Sequence, residues 1–332
     1  MKAMKRSAYH EPVLAAQVTD FLVLRPGIYI DGTLGGGGHA LAIMRALETA
    51  GFEKNSLLIG IDQDDEALHA ASTTLSWYKE TTVLVKGNFS DVRSILGKVC
   101  KQRGLVSRAA GILLDLGVSS SQIDTAGRGF SYLQKGPLDM RMDRCSSTTA
   151  ADIVNTLDEK ELAGLFFRYG EEPRSRMIAR HIVNYREQTG AVTGTEVLAA
   201  IIRNAERDPH KQIKTLSRVF QALRIEVNQE LEVLKQALSD GVDCLDYHGR
   251  MAVISYHSLE DRIVKSFFVE KSKSDWGPKG VGMREPLHKG VLGLVTRKPL
   301  IADEKEIQEN PRARSAKLRV VENVATGGSH AE

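Results

Sequence analysis

The sequence predicts an open α/β fold interrupted by an all-helical insertion, and three observations carry that prediction. Short apolar runs closed by a polar or acidic residue recur along the first third of the chain, each followed by helical periodicity. A glycine-rich turn follows the first of these runs. From about Asp124 the strand pattern gives way to helical periodicity alone, and it resumes only at Met251-Ala-Val-Ile-Ser-Tyr-His257.

The 332 residues suffice for two domains with a real core. At 42% hydrophobic and 26% charged the composition is that of a soluble globular protein, and no apolar run reaches bilayer-spanning length. No membrane partner is expected, and a cytoplasmic location is. The basic opening Met1-Lys-Ala-Met-Lys-Arg6 lacks the apolar stretch that a signal peptide requires. Cys100, Cys145 and Cys244 are isolated, odd in number and without a paired ligand spacing, so they read as reduced structural thiols and no metal is expected.

The first strand ends in Tyr29-Ile-Asp-Gly-Thr-Leu-Gly-Gly-Gly-Gly-His39, and the helical run Ala40 to Leu47 follows directly. Ile28 and Ile30 alternate as a strand does, and the glycines free the backbone for a tight turn whose N–H groups suit a nucleotide-type ligand. Gly35, Gly37 and Ala40 also satisfy the dinucleotide pattern G-x-G-x-x-G/A, so the glycines alone do not name the ligand. Asp31 discriminates. A carboxylate there repels a pyrophosphate and attracts the ammonium and sulfonium groups of S-adenosylmethionine. The alternative is that Asp31 only hydrogen-bonds its own turn.

The second strand, Leu57-Leu-Ile-Gly-Ile-Asp62, closes on an acid placed to reach ribose hydroxyls, while Asp64 or Asp65 better serve as caps of the next helix. Thr82-Val-Leu-Val85 is the third strand, and Phe89 beyond it suits either an adenine or the core. Gly111-Ile-Leu-Leu-Asp115 is the fourth. Asp62, Phe89 and Asp115 therefore share the strand ends where open α/β sheets bind ligands.

After the irregular glycine-rich stretch that contains Gly136 to Asp143, helical runs cover Ala150 to Tyr169, Arg174 to Glu187, Gly194 to Arg207 and Leu216 to Asp240. In the last, Phe220, Leu223, Val227, Leu231, Leu234 and Leu238 form one apolar stripe. His257-Ser-Leu-Glu-Asp-Arg262 brings Ser, His and acid together without a G-x-S-x-G turn, and reads as a strand end and helix cap rather than a hydrolase triad. Lys271 to Lys298 is a basic loop, and Arg297 to Leu300 with Ala316 to Val321 is the expected closing strand pair. Arg262 to Arg319 holds fourteen Lys and Arg against seven Asp and Glu, which is either a phosphate-contact footprint or a solvated face.

Taken together, His10-Glu-Pro-Val-Leu14, Asp31 to His39, Gly111-Ile-Leu-Leu-Asp-Leu-Gly-Val-Ser-Ser120, Arg128-Gly-Phe-Ser131, Gly136-Pro-Leu-Asp-Met-Arg-Met-Asp143, Ser255 to Lys265 and Asn310 to Arg319 resemble the MraW family of ribosomal RNA small-subunit methyltransferases. The resemblance spans nearly the whole chain. It implies a class I S-adenosylmethionine-dependent methyltransferase with a Rossmann-like seven-stranded sheet and an inserted helical domain, methylating N4 of a cytidine in the decoding centre of 16S rRNA. The domain limits expected are 1–123 and 219–325 for the sheet domain, 124–218 for the insertion and a disordered tail at 326–332. The family's cofactor positions carry over to Gly37, Gly38, His39, Asp62, Phe89, Asp115 and Gln122, and the electrostatic argument adds Asp31. Asp115 is also the candidate acceptor of the amino proton. Phe130, Tyr256 and His257 are candidates for contact with the base, and Arg128, Arg141, Arg312 and Arg314 for phosphates. The partner implied is 16S rRNA, within the small ribosomal subunit in preference to naked RNA, and the oligomeric state stays open between monomer and homodimer. Three rivals remain: a DNA aminomethyltransferase, for which the Asp/Asn-Pro-Pro-Tyr/Phe run is missing at Asp115-Leu-Gly-Val; a nicotinamide oxidoreductase, opposed by Asp31; and a non-catalytic RNA-binding protein.

Overall fold

The computed structural model describes residues 12–325 apart from 207, 276, 278–285 and 288. The basic opening, the first two residues of the His10–Leu14 motif, part of the basic loop and the tail from Thr326 lie outside the described residues.

Among the described residues seven strands form one sheet: β1 (Ile28–Asp31), β2 (Leu57–Asp62), β3 (Thr82–Lys86), β4 (Ala109–Asp115), β5 (Leu245–Ser255), β6 (Leu292–Leu294) and β7 (Lys317–Asn323). Their order is β3-β2-β1-β4-β5-β7-β6. β1 to β5 pair in parallel, and β7 runs antiparallel to both β5 and β6. This is the Rossmann-like class I arrangement. β1 lies between β2 and β4, so the strand order reverses there, and the strand ends beside that switch point are where such sheets take ligands. In register, Asp31 stands opposite Gly60 on one side and Leu113 on the other, which brings the last residues of β1, β2 and β4 to one edge.

β1 and β4 read as nearly unbroken apolar runs because both of their faces are covered. On one face Tyr29, Leu58, Leu113 and Ile254 pack with residues of α1 (Ala15–Leu22), α2 (Gly38–Thr49) and α3 (Asp65–Thr74). On the other face Ile28, Ile30, Ile59, Ile61 and Ile112 pack with α4 (Val92–Arg103) and with later helices. Successive strand residues point to opposite faces, so the two apolar layers follow from the period of two.

The chain divides into two compact units, one that runs to Gly117 and resumes at Val233, and one of Val118–Glu232. The second unit contains α5 (Ser120–Asp124), α6 (Ala150–Thr156), α7 (Glu159–Gly170), α8 (Ser175–Gln188), α9 (Thr195–Ala205) and α10 (Pro209–Asn228), around a core of its own that includes Phe166, Ile178, Leu198 and Phe220. The expected limits of 124–218 were too narrow, because α10 is one helix whose buried Leu216, Val219, Phe220 and Leu223 lie in this core. α11 (Glu230–Cys244) then leads back to β5.

Three further expectations need correction. The single stripe from Phe220 to Leu238 is two stripes, since Gln229 adopts φ 50° between α10 and α11; Phe220 and Leu223 pack in the helical unit while Leu234 and Leu238 pack under the sheet. Ala150 to Tyr169 splits at Leu157, because Thr149 with Asp152 and Asp158 with Glu161 form two capping boxes and so begin two helices. The partner of β7 is Leu292–Leu294 rather than Arg297 to Leu300, where Pro299 lacks an N–H and only Leu300 bridges to Leu318. α12 (Ser258–Ser272) follows β5, and α13 (Glu304–Glu309) precedes β7. Among the described residues no helix is long and apolar enough to cross a membrane.

Candidate active site

The turn after β1 is a backbone device. Gly35 and Gly37 adopt φ +50° and +82°, which side-chain-bearing residues resist, and a Cβ on Gly37 would stand 3.3 Å from Ala71 of α3. Gly37 precedes α2 without a side-chain cap, so the first N–H groups of that helix are left to other acceptors. Gly38 would bring a Cβ to 3.4 Å from Pro12.

Asp62, at the end of β2, ties down this turn. Its Oδ2 accepts the Gly35 N–H (2.8 Å) and its Oδ1 the Asp64 N–H (2.9 Å). Asp64 itself caps α3 by accepting the Glu66 N–H, as the sequence indicated. Burial raises the Asp62 carboxyl above the ordinary carboxylate range, against the hydrogen bonds it accepts.

Asp31 hydrogen-bonds its own turn and keeps a second oxygen open. One oxygen accepts the Thr33 N–H of its own turn (3.2 Å), while Oδ2 has no hydrogen-bond partner among the described residues, although the side chain is only 1% exposed. Burial pushes its carboxyl up to about 6, partly offset by His39. A buried acceptor left open in this way suits a cationic ligand.

Asp115 ends β4. Its N–H donates to Thr33 Oγ1 (2.6 Å), its Oδ1 accepts from the Tyr256 hydroxyl (2.8 Å), and its Oδ2 lies 3.5 Å from His39 Nδ1. Burial raises this carboxyl too, with His39 and the Tyr256 hydroxyl acting against it. His39 is buried in the first turn of α2, and its Nε2 lies 2.8 Å from the Val13 carbonyl; since a carbonyl only accepts, Nε2 carries the hydrogen. Phe89 opens a short 3-10 turn after β3 and is half-buried against the sheet core. Its Cβ lies 3.2 Å from where a Cβ on Gly32 would stand, beside the end of β1.

The structure thus gathers Asp31, Gly37, Gly38, His39, Asp62, Phe89 and Asp115 at one sheet edge. Gln122 belongs to the helical unit, where its Oε1 accepts the Ser119 N–H and its own N–H donates to Ser119 Oγ, a capping box that accounts for its burial. Of the phosphate candidates, Arg128 is 3% exposed and donates to the carbonyls of Arg141 and Met142, and Arg141 forks onto Asp139 (2.8 Å twice); both organise the glycine-rich segment. Arg314 is exposed, on the short turn Pro311–Ser315. Phe130 packs against the helical core, and His257 caps α12, accepting the Glu260 N–H on Nδ1. Sequence reasoning missed Thr33, Glu260 and the tie from Tyr256 to Asp115. The Glu three residues after His257 was a legible capping signal, but the Tyr256 hydroxyl bond needs the register of β4 on β5.

Three partly desolvated carboxylates and an open acceptor beside a glycine turn fit the cationic methyl donor and oppose a pyrophosphate. The profile of the MraW methylase family matches residues 7–324. A ribosomal RNA small subunit methyltransferase H of Pelodictyon phaeoclathratiforme is 65% identical over 99% of this chain and 99% of its own. Its counterparts in Chlorobium limicola and Chlorobium luteolum are 62% and 60% identical, over 96% and 97% of this chain and 99% and 98% of theirs. A carboxylate-lined sheet edge beside a glycine turn and a family match over residues 7–324 lead to one conclusion: the chain belongs to the MraW methylase family, and its cofactor is S-adenosylmethionine.

Proposed function

We propose that this protein methylates N4 of a cytidine in the decoding centre of 16S rRNA, within the small ribosomal subunit and in the cytoplasm. The observation that carries the reading is Asp115, a carboxylate at the end of β4 with 24% of its side chain exposed, one oxygen held by Tyr256 and the other at 3.5 Å from His39. A cytosine amino group is a poor nucleophile because its lone pair is delocalised into the ring. An acceptor that holds one N–H lets the nitrogen pyramidalise as it attacks, and Asp115 supplies that acceptor. Bound S-adenosylmethionine supplies an electrophilic methyl carbon and a positive charge. Asp31 answers that charge, Asp62 takes the ribose hydroxyls, the turn from Gly35 to His39 offers backbone donors, and Phe89 offers an apolar face. Fixing both reactants is worth much of the roughly 7–11 kcal/mol available from orientation in intramolecular reactions. The relatives named for small-subunit rRNA methylation cover the chain from end to end, which supports the substrate class.

The test is made in a strain deleted for its own gene of this family. Expressing this chain should restore N4-methylcytidine in nucleoside digests of 16S rRNA, and Asp115→Asn should not. A mark restored on a ring carbon or a ribose in place of N4 would overturn the reading.

A further inference from the structure

We propose that Tyr256 is a positioning residue for methyl transfer: its hydroxyl occupies Asp115 Oδ1 and reserves Oδ2 for the N–H of the base. The inference rests on the reading of Asp115 as the amino-proton acceptor and adds what orients it.

The placement follows from the sheet. β4 and β5 pair in parallel with Asp115 opposite Ile254, and the Leu116 N–H continues the ladder to the Ile254 carbonyl (2.9 Å). Tyr256, two residues on, therefore arrives beside Asp115. Glu260 fixes the turn, accepting the Tyr256 N–H (2.8 Å) and the His257 N–H (3.3 Å) on one carboxylate oxygen. Gly117, at φ +99°, passes the ring closely: a Cβ there would lie 3.6 Å from Tyr256 Cδ2. The ring is thus held at its backbone, its edge and its hydroxyl.

The two oxygens of Asp115 are not equivalent. Oδ1 receives a phenol O–H at 2.8 Å, and burial beside Asp115 raises the Tyr256 phenol so that it keeps its proton and stays a donor. Oδ2 faces His39 Nδ1 at 3.5 Å, and Nε2 of that ring already carries the hydrogen given to Val13. No hydrogen bond joins the two groups at that distance, which leaves Oδ2 open to an incoming N–H. As the amino nitrogen forms the N–C bond, the electron pair of the breaking C–S bond leaves on sulfur and the surplus proton passes from nitrogen to Asp115 Oδ2. A cation, a neutral base and a carboxylate become a thioether, a methylated base and a carboxylic acid, so charge balances.

The groups around Asp115 set the sign of the pH effect. His39 on α2 and the Tyr256 hydroxyl favour its anion, while Glu260 on α12 and Asp31 on β1 oppose it. Removing the hydroxyl therefore raises the carboxyl further, and the acidic limb of kcat moves to higher pH.

The experiment uses Tyr256→Phe in the full chain, with small subunits lacking the modification and S-adenosylmethionine at saturation. The expected result is a kcat lowered about tenfold, the cost of one hydrogen bond to a charged group, with the acidic limb moved upward and the cofactor Kd unchanged. Replacing Tyr256 by 3-fluorotyrosine, a stronger donor of the same shape, should move the limb downward, and this holds whether or not the Phe variant folds. A kcat and limb unmoved by either replacement, or an effect confined to Kd, overturns the inference. Asp115→Asn separates the two levels: a kcat intact in that variant overturns the acceptor reading itself, whereas a collapsed kcat beside an unmoved Tyr256 series overturns only the role of Tyr256.

Discussion

At the scale of residues, the site is a balance between burial and charge, and Asp31 shows it most plainly. Its carboxyl is pushed from an ordinary value near 4 to about 6 by loss of water, so between those values the folded state binds a proton that the unfolded state does not. Stability therefore falls as pH rises from about 4 to 6, by roughly 3 kcal/mol for a shift of about two pH units. Asp139, Asp261 and Glu322, each lowered by paired cations or hydrogen bonds, work in the opposite direction, so the contribution of Asp31 is read from a difference. Urea unfolding of the ligand-free protein should show that Asp31→Asn gains stability over the wild type at pH 7 and matches it near pH 4. The same variant should bind S-adenosylmethionine about tenfold more weakly, the loss of one charged contact, as calorimetry would measure. An equal affinity in the two proteins would leave the open oxygen without a ligand role. Asp31, Asp62 and Asp115 were legible in sequence because each closes an apolar run. The hydroxyl of Tyr256 on Asp115 was not, since 141 residues separate the partners and only the pairing of β4 with β5 joins them.

At the scale of elements, positive-φ positions decide where the chain turns. Gly37→Ala places a side chain at φ +82° and a Cβ 3.3 Å from Ala71, so the start of α2 must shift. A cost of about 1–2 kcal/mol in denaturant unfolding is expected, with weaker cofactor binding because the turn and its N–H groups move together. Gln229 is the reverse case. It holds φ 50° between α10 and α11 without being glycine, so Gln229→Gly should stabilise the protein by a few tenths to about 1 kcal/mol, seen as a raised Tm. No change, or a loss, would mean that the Gln229 side chain matters more there than its backbone strain. The glycine turn was legible because four successive glycines announce it. The break at Gln229 was not: apolar periodicity continues through it from Phe220 to Leu238, and only the assignment of those residues to two different cores separates α10 from α11. The strand at Leu292–Leu294 was hidden for a related reason, being three residues long with glycine at its centre.

At the scale of the whole molecule, the chain encloses a helical unit between two consecutive strands of a sheet, and the sheet unit carries the carboxylate edge. The open α/β class and the helical insertion were readable from the change of period near Asp124 and its return at Met251. The limits of the insertion were not, because a contact boundary inside continuous helical sequence leaves no mark in composition. Binding of the cofactor to the folded state alone should raise the unfolding free energy by about 2.7 kcal/mol at a hundred times its Kd, whereas NADH at equal concentration should leave Tm unmoved. A rise with NADH would return the glycine turn to the dinucleotide reading. The activity is tested most directly by methyl transfer itself: the purified chain, S-adenosylmethionine labelled in its methyl group, and small subunits from cells lacking the modification, followed by nuclease mapping and nucleoside analysis of the RNA. Label is expected in N4-methylcytidine at one decoding-centre position of 16S rRNA; label on another base, or none while the cofactor binds and the subunits are intact, would rule this activity out.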